Sequence, residues 1–314
     1  METTGCGNNL DASKSVGKNL ILDSLKYWTD SMGLDGFRFD LAPVLGRDSS
    51  PNYGFNPNAQ LLVDIASLAA NRNVEMIAEA WDCQWPGGYQ VSNFPSGWGE
   101  WNGMYRDTIR KFVKGEGYKV SGYASFGTVF NGSYTLAERN AGSGNNHTGF
   151  NDNGGPHKSV NFIIAHDGFT LMDLVSYNGK MNSTLTWPWG PSDGGSNDND
   201  SWDCGGSQAL RRRQLKNLYS IQFMSRGVPM IVYGDEFGRT QNGNNNPYNV
   251  DSIATWNNYT MINTDSPNTK ITGQHNNFGT DTNADGKNTL FKFVQYITNL
   301  RNCMNDLLHN FYNF

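Results

Sequence analysis

The chain has 314 residues, 37% of them apolar, a formal net charge of −5 at pH 7 and a pI near 5.5. That length buries a sizeable core, either one barrel of about 250 residues or two smaller domains. The acidic balance and the lack of any block of lysines or arginines argue against a nucleic-acid partner, and no apolar run approaches the roughly 20 residues of a membrane span.

Reading in chain order, the first strong pattern is a helix over 16–32, where Leu22, Leu25, Tyr27, Trp28 and Met32 recur near helical spacing and Gly33 closes it. "GFRFD" (36–40) then reads as a strand in which Phe37 and Phe39 alternate with Arg38 and Asp40, putting both charges on one face. A helix over 57–71 leads into the strand "VEMIAEAWD" (74–82), and a weaker strand at 97–103 precedes a helix over 104–114. The strand "VNFIIAHDG" (160–168), a helix over 208–225, the strand "PMIVYGDEFG" (229–238) and a final helix over 288–308 complete the pattern. Arg211, Arg212 and Arg213 read as the solvated N-terminal part of their helix. Two long polar stretches, 138–158 and 178–206, flank the "IIAHDG" strand; the second carries Trp187, Trp189 and Trp202 and invites a substrate-facing role. Of the nine tryptophans, most are expected in the core.

Alternating strands and helices predict an α/β fold with parallel strands, and ionisable residues at the strand ends favour a barrel, whose active face lies there. A doubly wound sheet is the alternative, but neither GxGxxG nor GxxxxGK[ST] occurs. The four cysteines, Cys6, Cys83, Cys204 and Cys303, form no CxxC pair and allow two disulfides or none. The N-terminal "METTGCGNNLD" has no signal-peptide core, so none is expected in this chain, and its compartment stays open.

Asp40, Glu79 and Asp167 stand at the ends of three separate strands, with Arg38 and His166 beside them. One such carboxylate is usually a cap or an ion-pair partner; three at equivalent positions point to a carboxylate-based site, as glycoside hydrolysis requires. The five histidines form no HxH or HExxH, so no metal or other cofactor is expected, and a serine hydrolase would need a GxSxG elbow. "DTNADG" (281–286) begins like a calcium loop but has Lys292 where the twelfth-position glutamate belongs, and it reads as a turn.

"GFRFDLA", "EMIAEAWD" and "NFIIAHDGFTLMDLVSYN" resemble, in order, three signature strand ends of the α-amylase family of glycosidases. The stretches 3–11, 87–107, 190–195 and 227–249 narrow the resemblance to isoamylase-type debranching enzymes. The resemblance implies a retaining hydrolase of α-1,6 branch linkages in glycogen, amylopectin or related α-glucans. It gives Asp40 the role of nucleophile, Glu79 that of general acid/base, and Asp167 with His166 the binding of sugar hydroxyls. Arg38 would hold the Asp40 carboxylate ionised, aimed and dry. Two other functions stay open: a non-catalytic glucan-binding or regulatory fragment, and a transglycosylase with the same nucleophile.

Against the family pattern, no D-V-V-x-N-H-type motif is found, and Ala80 stands where relatives more often have proline. The chain therefore reads as a single partial (β/α)8 barrel domain over 1–314, roughly strands four to eight. On that expectation the N-terminal β-domain, the first three strands and the C-terminal β-sandwich are absent, and the open barrel edges invite self-association.

Overall fold

In the computed structural model of the protein, residues 2–47, 53–115, 158–263 and 271–304 are described. Helix α1 (Ser15–Asp30) turns Gly17 and Leu25 inward, and the chain leaves it through Gly33 at φ +73°, a conformation that costs glycine little. Strand β1 (Gly36–Phe39) follows. Helix α2 (Gln60–Arg72) buries Leu61, Leu62, Ile65, Leu68 and Ala69 and ends on Asn73 at φ +53°, then feeds β2 (Glu75–Ala78). Strand β3 (Gly99–Trp101), helix α3 (Gly103–Lys114) and strand β4 (Ser159–Phe162) come next.

These strands pair in parallel and in chain order. Phe37 lies opposite Met76 and Phe39 opposite Ala78, Ala78 opposite Glu100, and Trp101 opposite Val160. Gly36 makes the first pairing close: a Cβ there would stand 2.6 Å from the Glu75 carbonyl oxygen. Parallel neighbours need crossover helices, and sequential parallel order is what a succession of β/α units produces. The architecture is α/β with parallel strands, as the alternation implies.

The chain divides into two compact units, residues 1–104 with 141–161, and residues 105–140 with 162–314. The first is built on α2 against β2, with Leu62, Ile65, Met76, Ala78, Phe94 and Trp98 buried together and the Trp98 indole N–H donating to the Leu62 carbonyl at 3.0 Å. The second contains a short helix α4 (Leu171–Leu174), helix α5 (Gln208–Met224), strand β5 (Val228–Met230) and helix α6 (Thr289–Cys303). Its core gathers Tyr105 and Ile109 of α3, Leu215, Leu218 and Tyr219 of α5, and Leu290, Val294 and Ile297 of α6.

Some local expectations change and others hold. Arg211 is buried rather than solvated, because its guanidinium donates to the carbonyls of Asp203 and Asn277, and Arg212 donates to that of Phe278. Only Trp98, Trp101 and Trp189 are buried, whereas Trp28, Trp85, Trp187 and Trp256 are exposed. All four cysteines are free thiols. Residues 281–286 form a turn, with the Gly286 N–H donating to the Asn283 carbonyl at 2.9 Å. The polar stretch 138–158 falls, up to 157, outside the described residues. No helix among the described residues is long and apolar enough to cross a membrane.

Candidate active site

Because side chains alternate along a strand, Arg38 and Asp40 leave the end of β1 on one face. Arg38 Nη1 donates to Asp40 Oδ1 at 2.6 Å, and Nη2 lies 2.9 Å from Glu79 Oε2, at the end of neighbouring β2. One guanidinium thus spans both carboxyls. Its own plane is fixed from a third direction, with Cζ 4.2 Å from the centroid of the Trp101 ring at the end of β3.

The backbone adds to the pairing. Leu41, directly after Asp40, is held at φ 42°, ψ 47°, a left-handed conformation that costs a non-glycine residue about 1–3 kcal/mol. In that conformation its N–H points at Glu79 Oε2, 2.8 Å away, while the Ala42 N–H donates to the Glu79 carbonyl at 3.0 Å. The strained residue thereby aims a donor at the second carboxyl.

Glu79 is buried, with 9% of its side chain exposed, and burial pushes its carboxyl up to about 7 despite the opposing Leu41 N–H and Arg38 charge. A side-chain hydrogen bond with Asp40 and that residue's charge add to the rise. A carboxyl that keeps its proton near neutrality can act as a general acid, and an ionised partner beside it can act as a nucleophile. Asp40 itself is 74% exposed rather than dry. The reason lies in the sheet: Asp40 stands one residue past β1, which among the described residues pairs only with β2.

His166 and Asp167 belong to the second unit, four and five residues past β4, with His166 Nε2 3.5 Å from Asp167 Oδ2 and both side chains more than half exposed. The next residue is anchored, since the Gly168 N–H donates to the Asn245 carbonyl at 3.0 Å. The structure therefore brings Arg38, Asp40 and Glu79 together in the first unit, and His166 and Asp167 together in the second.

Sequence reasoning passed over several residues around these groups. Glu100, opposite Ala78 in the sheet, is fully buried, accepts from the Ser92 and Phe94 N–H groups at 2.5 and 3.3 Å, and is pushed up by burial to about 8. Its signal was the acidic residue inside the weak strand at 97–103. The Trp101 stack had no signal, because nothing in local spacing pairs position 38 with position 101. Trp81, two residues past Glu79, lies nearly parallel to Tyr89, with ring centroids 6.0 Å apart. Among the described residues, no group of three or more His, Cys, Asp and Glu side chains is arranged to hold a metal ion.

No family model matches the chain. It is 45% identical over 266 residues to an isoamylase of Flavobacterium sp, covering 81% of this chain and 32% of that protein. It is 40% identical over 268 residues to the glycogen operon protein GlgX homolog of Mycobacterium tuberculosis (82% and 34%), and 43% identical over 262 residues to the chloroplastic isoamylase 3 of Oryza sativa subsp. japonica (79% and 30%). The chain spans about a third of the length of these curated relatives. Among solved structures it is similar to the pullulanase of Bacillus acidopullulyticus, with a TM-score of 0.64 at 20% identity over 96% of this chain and 30% of that one. A pullulanase from Anoxybacillus sp. LM18-11, solved with maltotetraose, gives 0.58 at 20% identity over 95% and 35%. At those identities the likeness shows the fold, part of a (β/α)8 barrel.

Proposed function

This chain belongs to the isoamylase-type branch of the α-amylase family, and on that footing we propose that it hydrolyses α-1,6 branch linkages of α-glucans with net retention. The observation that carries the proposal is the Asp40–Glu79 pair, two carboxyls at adjacent strand ends bridged by one guanidinium, with Glu79 pushed up to about 7 by burial.

The mechanism follows from the different environments of the two groups. Asp40, aimed by its hydrogen bond from Arg38 Nη1, attacks the anomeric carbon, while Glu79 gives its proton to the departing glycosidic oxygen. Glu79 also hydrogen-bonds Asp40. The glycosidic oxygen takes Asp40's place as acceptor when substrate enters. In the second half-reaction Glu79, now ionised, takes a proton from the water that releases the sugar from Asp40. By the family resemblance, Asp167 and His166 bind sugar hydroxyls and favour the oxocarbenium-like transition state. The substrate is a neutral polymer, in keeping with the net charge of −5 and the absence of a basic block.

Chain-length analysis of amylopectin after digestion tests the specificity. Release of linear chains, with linear maltoheptaose left intact, supports α-1,6 hydrolysis. Shortening of maltoheptaose would reassign the chain to α-1,4 cleavage. Redistribution of chain lengths without new reducing ends would make it a transglycosylase, and glucan binding without turnover would make it a binding fragment.

A further inference from the structure

Asp40 and Glu79 leave neighbouring strands by separate loops, so the span between them depends on what ties those loops together. The loop after β1 is short and stiff: Leu41 leads into a 3-10 turn over Ala42–Gly46, with Ala42, Pro43 and Gly46 buried, and the turn delivers Arg47. The loop after β2 continues through Trp81 to Asp82. Arg47 Nε donates to Asp82 Oδ2 at 2.6 Å and Nη2 donates to Oδ1 at 2.8 Å, a two-bond fork between side chains only 5% and 0% exposed. The remaining reach of the guanidinium is also used, with Nη1 donating to the Tyr53 carbonyl at 2.8 Å and Nη2 to the Gly87 carbonyl at 2.9 Å. Asp82 Oδ1 accepts in addition from the Gln84 N–H at 3.0 Å, and the Asp82 N–H donates to the Gly88 carbonyl at 3.1 Å.

We propose that the Arg47–Asp82 fork is a positioning clamp that fixes the Asp40–Glu79 span by joining the two loops behind them. The inference rests on the reading of Asp40 and Glu79 as nucleophile and acid/base. Stability alone explains the pair poorly, because a buried ion pair is often no better than apolar residues of the same volume. What a bidentate fork supplies is direction: two parallel bonds hold the two loops in one plane and one register. A displacement of about 1 Å at a reacting group can lower a rate by about 10²-fold. Neither member reaches substrate in this role; both act through the loops that carry the carboxyls. The charged groups facing Glu79 remain Arg38 and Asp40.

Arg47→Lys keeps the charge and removes the fork. In the full chain we expect kcat on amylopectin to fall about 10- to 100-fold with KM changed less than about threefold. We also expect the titration midpoint of Glu79 to move from about 7 toward an ordinary glutamate as its loop loosens and water enters. That midpoint is read by NMR on the ¹³C-carboxyl-glutamate-labelled chain, with Glu79→Gln identifying the resonance, so the second arm needs no turnover. A wild-type chain that releases no sugar sinks the proposed activity, and the titration still judges the clamp. If Arg47→Lys does not fold, the paired change Arg47→Gln with Asp82→Asn, which leaves the net charge unaltered, takes its place. A folded variant with wild-type kcat and a wild-type Glu79 midpoint overturns the proposal. So does a loss of activity that only tracks the fraction unfolded.

Discussion

Replacing Arg38 by lysine isolates what the guanidinium does beyond carrying charge. In the native chain Nη1 reaches Asp40 at 2.6 Å, Nη2 stands 2.9 Å from Glu79, and the plane rests on Trp101 with Cζ 4.2 Å from the ring centroid. A lysine ammonium is one compact charge on a flexible stem, so it can serve one carboxyl and cannot span both. The lost charge-assisted contact is worth about 1.5–3 kcal/mol, which at 1.36 kcal/mol per decade corresponds to roughly a 10- to 150-fold fall in kcat. The pH profile changes as well. Arg38 holds the Glu79 carboxyl down against burial, so weakening that attraction raises Glu79 further and moves the alkaline limb of the rate profile to higher pH. The assay is initial release of reducing ends from amylopectin between pH 4.5 and 9, with saturation curves at each pH. A folded Arg38→Lys variant with kcat within twofold of wild type and an unmoved alkaline limb would refute the reasoning.

Two further outcomes concern stability. Burial pushes Glu79 up to about 7, and Glu100 and Asp235 to about 8, so the folded chain holds more protons than the unfolded chain between about pH 4 and 8. Unfolding free energy must therefore fall as pH rises through that window. Melting temperatures at pH 5 and pH 8 measure the fall, and Glu100→Gln should flatten it; an unchanged slope in that variant contradicts the assignment. Asp173, fully buried, accepts from the Thr240 hydroxyl at 2.5 Å, the Gln241 N–H at 2.7 Å and His275 Nε2 at 3.0 Å. Asp173→Ala removes the acceptor of the Gln241 N–H and leaves the Thr240 hydroxyl and His275 Nε2 facing only each other, and should lower the unfolding free energy by about 2–5 kcal/mol in urea titrations; a loss under 1 kcal/mol would show that they find other partners.

How much of this was legible in the sequence depends on the range of each interaction. The order of strands and helices was, because burial of one face leaves a local period: Phe37 and Phe39 alternate with charges, and Leu61, Leu62, Ile65 and Leu68 recur at helical spacing. Candidate carboxylates were legible because an ionisable residue ending an apolar run is conspicuous. Arg38 was legible with them, but the contacts that hold these groups from farther along the chain were not. Arg47 meets Asp82 across 35 residues, and Trp101 lies under Arg38 only because β3 is the second neighbour of β1. Arg211 looked solvated because its helix is polar where it starts, yet the carbonyls it satisfies belong to segments 8 and 66 residues away. The exposure of Asp40 had no local signal either, since it depends on which strands flank β1.

The central claim is that Asp40 and Glu79 form a working pair. Its most direct test is reducing-end release from amylopectin near pH 6 by the wild-type chain and by Asp40→Asn, with melting curves confirming that both are folded. Steady release by the wild type, lowered at least about 10³-fold in the variant, is the expected result. No release by the folded wild type, or equal release by both chains, would contradict it.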